Sequence, residues 1–163
     1  MNIFILDQDK KKCAEYHCDK HIVKMPLELA QMVSYIHHDK MFYQTTPIGV
    51  MGFSKTHYKH PCSIWLRDSL SNLIYGCELG IELINEYRFR YETDKHQRSL
   101  DVFIGTLKNL PKMEDKGLTP FAQAMPTEYK SNDAIKSYRD YYKHEKIDFL
   151  TYKNRETPNW LVN

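Results

Sequence analysis

The fold is decided by residues 61–87, which read PCSIWLRDSLSNLIYGCELGIELINEY. Apolar side chains recur along this stretch at intervals of three and four residues, at Leu66, Leu70, Leu73, Cys77, Ile81 and Ile84. That spacing places them on one face of an α-helix. Pro61 suits the first helical position, because the N–H that proline lacks has no partner there. We therefore predict a core helix from Pro61 to about Tyr87.

Another amphipathic helix is predicted upstream, and it is the first helix in chain order. It begins near residue 8, where Asp7 or Asp9 can cap it, and ends near His38 or Lys40. Its apolar stripe is Ile22, Pro26, Leu29, Val33 and Ile36. Because a proline inside a helix removes one backbone hydrogen bond, we expect a kink or a break at Pro26.

The rest of the chain predicts shorter elements. A helix covers Ser99 to Leu110, and a last helix runs from an Asn132 cap to about Tyr152. Residues 41–59 and 112–130 contain glycine and proline and are predicted loops. Residues 1–6 form a short strand or an extended arm against the core, and residues 157–160 form an anchoring tail. The expected fold is all-α: one compact domain over 1–163, a bundle of about four helices with a short extended N-terminal arm.

Composition limits the class of protein. The chain has 163 residues, of which 27% are charged and 42% hydrophobic, and this balance is typical of a globular domain. With only 6 glycines and 7 prolines, an all-β sandwich is disfavoured. The formal net charge of +2 is low for a protein that coats duplex nucleic acid, although a local surface can still be basic.

The four cysteines are Cys13, Cys18, Cys62 and Cys77. The sequence shows no secretory signal and no apolar run long enough for a membrane span. We therefore expect reduced thiols, no membrane association and a cytoplasmic location, which is the host cytoplasm if a phage encodes the protein.

The most site-like feature is a polar stripe on the predicted first helix. His17, His21, Lys24 and Glu28 recur at helical spacing and share one face beside the apolar stripe. Such residues are often only solvated, and Lys24 with Glu28 is an ordinary ion-pair spacing. His17 and His21 also have the spacing of helical metal ligands, with His57, His60 and Cys62 as further ligands. The remaining alternative is acid–base chemistry, in which Glu28 is the carboxylate and the basic residues hold an anion.

Two other features have functional and structural interpretations. Lys59 and His60 precede the helix that begins at Pro61, where free N–H groups favour phosphate, or they form a plain cap with basic residues. Cys62 beside them is a weak candidate nucleophile. The tyrosines of the C-terminal third can stack on bases or pack in the core; they are Tyr129, Tyr138, Tyr141, Tyr142 and Tyr152.

These residues carry a family resemblance. Asp19-Lys20-His21, with Glu28-Leu29 seven residues after the histidine, resembles the first helix of the phage pyrimidine-dimer DNA glycosylases of the endonuclease V type. The His60-Pro61 helix start with Trp65 is similar to a second helix of that family, so the resemblance spans roughly residues 13–89. The chain also resembles a group of tailed-phage proteins that share His-Cys-Asp-Lys-His and the segment from Thr119 to Pro126.

The resemblance implies an all-α fold and a base-flipping glycosylase with lyase activity that needs no cofactor. In that family the α-amino group of the chain attacks the sugar and forms a Schiff base; here this amine belongs to Met1. Glu28 would stabilise the developing sugar cation, and His21 matches the family's helix-one histidine. Where the family has arginines that hold DNA phosphates, this chain has Leu27 and Gln31. If the Met1 amine is not used, the nucleophile is a lysine such as Lys20 or Lys24.

Three hypotheses follow. The first is an enzyme that cleaves an N-glycosidic bond in DNA or a nucleotide. Its catalytic residues are Glu28, His21 and Met1, and its substrate-binding residues are His17, Lys20, Lys24, Gln31, Lys59 and His60. The second is a non-catalytic binder of nucleotide or nucleic acid, for example a phage counter-defence protein. The third is a His/Cys metal-binding protein, although we assign no metal ligands.

Overall fold

A computed structural model describes residues 2–39, 53 and 57–162, without the side chains of 37–39. Over these ranges the chain forms seven α-helices and no strand. They are α1 Lys10–Glu15, α2 Asp19–Asp39, α3 Pro61–Asp68, α4 Leu70–Tyr91, α5 Gln97–Lys108, α6 Ala134–Glu145 and α7 Asn159–Val162, with 3-10 turns at Thr127–Tyr129 and Ile147–Phe149. The predicted all-α class is confirmed. The predicted number of helices is too low, because two of the predicted long helices are each divided and the C-terminal tail contains the short α7.

Helix α4 is the centre of the packing, since α1, α2, α3 and α5 all contact it. The α2 stripe faces this core as predicted: Ile22, Leu29, Val33 and Ile36 are all at most 2% exposed. On α4, Leu73, Cys77 and Ile84 are fully buried, whereas Leu70 and Ile81 at the margins are half-buried. The two sequence patterns therefore identify the two faces that meet in the core.

The N-terminal segment is an extended arm rather than a strand. Ile3, Phe4, Ile5 and Leu6 are at most 5% exposed, so the arm is part of the core. Arg139 of α6 donates to the Leu6 carbonyl at 2.8 Å. The arm is therefore held against α6, and its beginning is placed beside α2.

The first predicted helix is divided before Pro26, not at it. The chain leaves helical geometry between α1 and α2, at residues 16–18, and then continues through Pro26 as one helix. The interruption exposes backbone carbonyls that Arg90 of α4 binds: its guanidinium donates to the carbonyls of Glu15 and His17, each at 2.9 Å. A contact with a residue more than 70 positions away thus sets the boundary.

The core helix is likewise divided at Ser69, whose backbone is extended. The loop at 114–117 contacts this point. Leu70 N–H donates to the Glu114 carbonyl, and the Ser69 hydroxyl donates to Asp115 and to the Gly117 carbonyl. Because the loop satisfies these polar groups, the interruption between α3 and α4 leaves none of them unpaired.

The C-terminal third differs from prediction at both ends of its helix. Asp133, not Asn132, caps α6, because its carboxylate accepts from the N–H groups of Ile135 and Lys136. The helix ends at Glu145 rather than near Tyr152. The tail is anchored as predicted, since the Trp160 ring packs against Tyr16 at 5.8 Å between ring centroids.

None of the helices in the described ranges is long and apolar enough to cross a membrane. The predicted loop over 41–59 lies largely outside the described residues.

Candidate functional site

Most of the polar stripe lines one cleft. This cleft has a volume of about 310 Å³ and lies between the N-terminal arm, α2 and the end of α6. Its lining residues are Asn2, Phe4, Lys20, His21, Lys24, Met25, Glu28, Ala124, Tyr141 and Lys146. Four of them are predicted site residues: Lys20, His21, Lys24 and Glu28. They share the cleft with Ala124, Tyr141 and Lys146, which lie more than 90 positions further along the chain.

Helix α2 supplies the charged wall of the cleft. Lys20, Lys24 and Glu28 are each one turn apart, so all three side chains project from one face. Both lysines are exposed and Glu28 is half-buried. A carboxylate beside two ammonium groups can bind a ligand that carries both negative charge and a developing positive centre.

His21 forms the floor of the cleft as a neutral ring. It is 8% exposed and stacks on Phe4, with 4.4 Å between ring centroids. Burial, together with the smaller effects of the nearby His17, Lys146, Lys20 and Lys24, lowers the pKa of His21 to about 3. The imidazole is therefore uncharged at neutral pH and serves as a hydrogen-bonding group rather than a cation.

Tyr142 orients this ring. Its hydroxyl lies 2.5 Å from His21 Nδ1, and burial raises the pKa of Tyr142 well above its usual value. The phenol therefore keeps its proton and can donate it to Nδ1. In that tautomer Nε2 carries the imidazole hydrogen and is the nitrogen free to donate to a ligand.

The opposite wall consists of Tyr141 and Lys146, which sequence reasoning did not assign to the site. Tyr141 belongs to the tyrosine set that has two interpretations, and its half-buried ring now lines the cleft. Lys146 directly follows α6, and its ammonium lies 4.7 Å from the centroid of the Tyr141 ring. No local pattern marks Lys146, because only the packing of α6 against the arm brings it to α2.

His17 does not share a helix with His21, and that prediction is wrong. It lies in the interruption between α1 and α2, where it is 1% exposed. Its Nδ1 lies 2.7 Å from the carbonyl of Cys13, and burial lowers the pKa of His17 to about 4. His17 is thus a neutral core residue and does not line the cleft.

The other predicted substrate-binding residues also lie away from the cleft lining. Gln31 is half-buried on α2, about one turn beyond Glu28. Lys59 is exposed ahead of α3, and His60 caps that helix, with Nδ1 accepting from Cys62 N–H at 3.2 Å. Met1 lies outside the described residues, and Asn2, to which it is bonded, lines the cleft.

The cysteines are reduced and buried. Burial raises the pKa of Cys13 and of Cys62 to about 11, so neither is a thiolate at neutral pH. Among the described residues, no group of three or more His, Cys, Asp or Glu side chains is placed to hold a metal ion. The alternatives of a nucleophilic Cys62 and of a metal centre therefore gain no support from these residues.

A second polar cluster lies behind the start of α2. We call it the arginine network; it comprises Asp19, Glu86, Arg90 and Arg155. Arg90 is completely buried and bonds Glu86 at 2.6 Å and Asp19 at 3.0 Å. Arg155 completes the set through Glu86 at 2.8 Å. Both arginines hold the pKa of Glu86 below its ordinary value, against the opposing effect of burial.

Comparison with known proteins identifies no family for this chain. The chain matches no protein-family model, no curated protein and no solved structure.

Proposed function

We propose that the protein cleaves the N-glycosidic bond of a nucleotide or of DNA in the cleft. The observation that carries the proposal is the common placement of Glu28, His21, Lys20 and Lys24 around one space. These groups supply a carboxylate for a positively charged sugar and hydrogen-bond donors for an anion. When a base leaves a sugar, the sugar becomes positively charged and the anionic part of the substrate must be held in place, so both kinds of group are needed.

Glu28 is assigned the central chemical role. As the bond between C1′ and the base breaks, the sugar acquires positive charge that a nearby carboxylate stabilises. His21, neutral and fixed by Tyr142, can donate from Nε2 to a sugar or phosphate oxygen. In this arrangement the lysines bind the negatively charged part of the substrate.

The lyase form of the reaction uses an amine from this protein. The amine nitrogen bonds to C1′, the bond from C1′ to the base breaks, and the base leaves with that electron pair and gains a proton. The nitrogen then loses a proton, its lone pair opens the sugar ring, and the ring oxygen is protonated, which gives a protonated imine. Lys20 and Lys24 are the amines that α2 contributes to the cleft, and Met1 is the amine that the family resemblance implies.

Borohydride trapping tests this function. With DNA that carries damaged or abasic sites, reduction should link the protein covalently to the strand, and base release should be measurable without borohydride. Glu28→Gln should lower the rate by roughly 10²- to 10⁴-fold. Glu82→Gln is the matched control, since Glu82 is also half-buried on a long helix but does not line the cleft. Unchanged base release in Glu28→Gln would refute the role of Glu28.

A non-catalytic binder is the second candidate. The observation that favours it is Leu27, which is 38% exposed at the position where the resembled family has an arginine. Calorimetry with nucleotides, followed by recovery of the ligand, separates the two functions. Cleaved ligand supports the enzyme, and binding with intact ligand supports the binder.

A further inference from the structure

Lys146 gives the cleft a second cationic wall that faces α2. Its ammonium is held over the Tyr141 ring, and Lys20 is held in the same way over Phe149, at 4.3 Å from that ring centroid. Aromatic faces attract ammonium groups without neutralising their charge. Both cations are therefore positioned and remain available to an anion in the cleft.

Among the residues that the structure describes, no carboxylate forms an ion pair with the three lysines of the cleft. Within the part of the chain that the structure describes, the ion pairs of lysine involve Lys10, Lys116 and Lys136. Lys20, Lys24 and Lys146 thus surround a space that contains one carboxylate, Glu28. The charged side chains that line the cleft therefore carry a net positive charge.

The volume limits the part of a ligand that the cleft can enclose. A cleft of about 310 Å³ is at the small end of the range for small-molecule sites. That volume can enclose a ligand of about the size of one nucleotide.

The rim of the cleft argues against duplex nucleic acid. Beside Lys20 on α2 lie Val23 and Leu27, which are 40% and 38% exposed. Lys20 and Lys24 are the only lysines of α2, which contains no arginine, and both line the cleft. Duplex binding depends on several cations that contact successive phosphates, and this flank offers apolar side chains instead.

We infer that the ligand of the cleft is a free nucleoside monophosphate, whose phosphate is bound between Lys20 and Lys24 on one side and Lys146 on the other. This inference rests on the proposed function and specifies its substrate class. Tyr141 lines the cleft beside that phosphate site, and its ring positions the Lys146 ammonium. Lys146 is assigned as a phosphate-binding residue.

Calorimetry with Glu28→Gln tests the inference, because this variant keeps the lysines and suppresses turnover. The probes are 2′-deoxyuridine 5′-monophosphate, the nucleoside 2′-deoxyuridine and a short duplex with an abasic site. We expect the monophosphate to bind at least about tenfold more tightly than the nucleoside, and the duplex to bind no more tightly than the monophosphate. Adding Lys146→Gln should weaken monophosphate binding about tenfold and leave nucleoside binding unchanged. Lys136→Gln, on the exposed side of α6, is the matched control.

Three results would overturn the inference: equal binding of nucleoside and monophosphate, tight binding of the duplex alone, or no binding of any probe. Base release by the unmodified protein, measured from both free monophosphate and duplex, keeps the two proposals separate. Release from duplex without monophosphate binding rejects the inference and retains the glycosylase. Monophosphate binding without release from either substrate retains the inferred ligand and rejects the cleavage.

Discussion

The start of α2 joins two polar clusters that differ in how their charges are satisfied. Asp19 belongs to the arginine network, where two arginines and two carboxylates pair with one another and with backbone carbonyls. Lys20 and His21, the next residues, belong to the cleft, whose lining contains three lysines and one carboxylate. Breaking a buried network whose charges are paired destabilises the fold, whereas a cluster with an excess of one charge can bind a ligand of the opposite charge.

Breaking the arginine network should have the largest effect on stability. Arg90→Met removes the group that binds Glu86, Asp19 and two backbone carbonyls, and leaves buried carboxylate and carbonyl oxygens with fewer donors. We expect the free energy of unfolding to fall by about 3–5 kcal/mol in urea denaturation. Lys108→Met, at an exposed position at the end of α5, should change it by less than about 0.5 kcal/mol. A loss below about 1 kcal/mol for Arg90→Met would mean that the network is dispensable.

The two clusters should respond to acid in different pH ranges. The pKa of His21 falls from 6.5 in the unfolded chain to about 3 in the folded protein, so the unfolded state binds more protons below pH 6.5. Stability is therefore lost as the pH falls from 6.5, by roughly 1.4 kcal/mol per pH unit for this residue. The folded-state pKa of Glu86 lies below 4.5, so the stability contributed by Glu86 is lost only below about pH 4.5.

Urea denaturation between pH 7 and pH 4.5 measures this difference. As the pH falls over that range, the free energy of unfolding should fall less steeply for His21→Gln than for the unmodified protein. Below pH 6.5 the two slopes should differ by roughly 1.4 kcal/mol per pH unit, the amount assigned to one histidine. Identical slopes for the two proteins would show that His21 titrates in the folded state as it does in the unfolded chain.

A smaller effect is expected at the floor of the cleft. Tyr142→Phe removes the hydroxyl at His21 Nδ1 and leaves that nitrogen without this partner in a buried position. The cost should be about 1–3 kcal/mol, measured by thermal denaturation. Tyr129→Phe is the control, because the Tyr129 hydroxyl bonds Glu145 at the exposed surface. If both variants lose the same stability, the bond between Tyr142 and His21 contributes no more to stability than the exposed bond between Tyr129 and Glu145.

Local sequence patterns predict the parts of this molecule that depend on neighbours along a helix. The stripe from Ile22 to Ile36 and the start of a helix at Pro61 are confirmed, because helical spacing and proline chemistry act over a few residues. The shared face of Lys24 and Glu28 is predicted for the same reason. Each of these features depends only on residues within a few positions of it in the sequence.

The remaining features depend on contacts between distant residues, which no local pattern encodes. Arg90 binds the backbone at the interruption beside His17, and Asp115 accepts from Ser69 at the other interruption. Lys146 reaches the cleft only because α6 packs against the N-terminal arm. For the same reason His17 is wrongly placed with His21, although their spacing in the sequence fits one helix.

The most direct test of the cleft as the functional site is an NMR titration of the isotopically labelled Glu28→Gln variant with 2′-deoxyuridine 5′-monophosphate. The largest backbone amide shift changes should occur at Lys20, Lys24, Tyr141 and Lys146, with Lys59 and His60 unaffected. Changes centred on Lys59 and His60, or no changes at any residue, would contradict the assignment of the cleft.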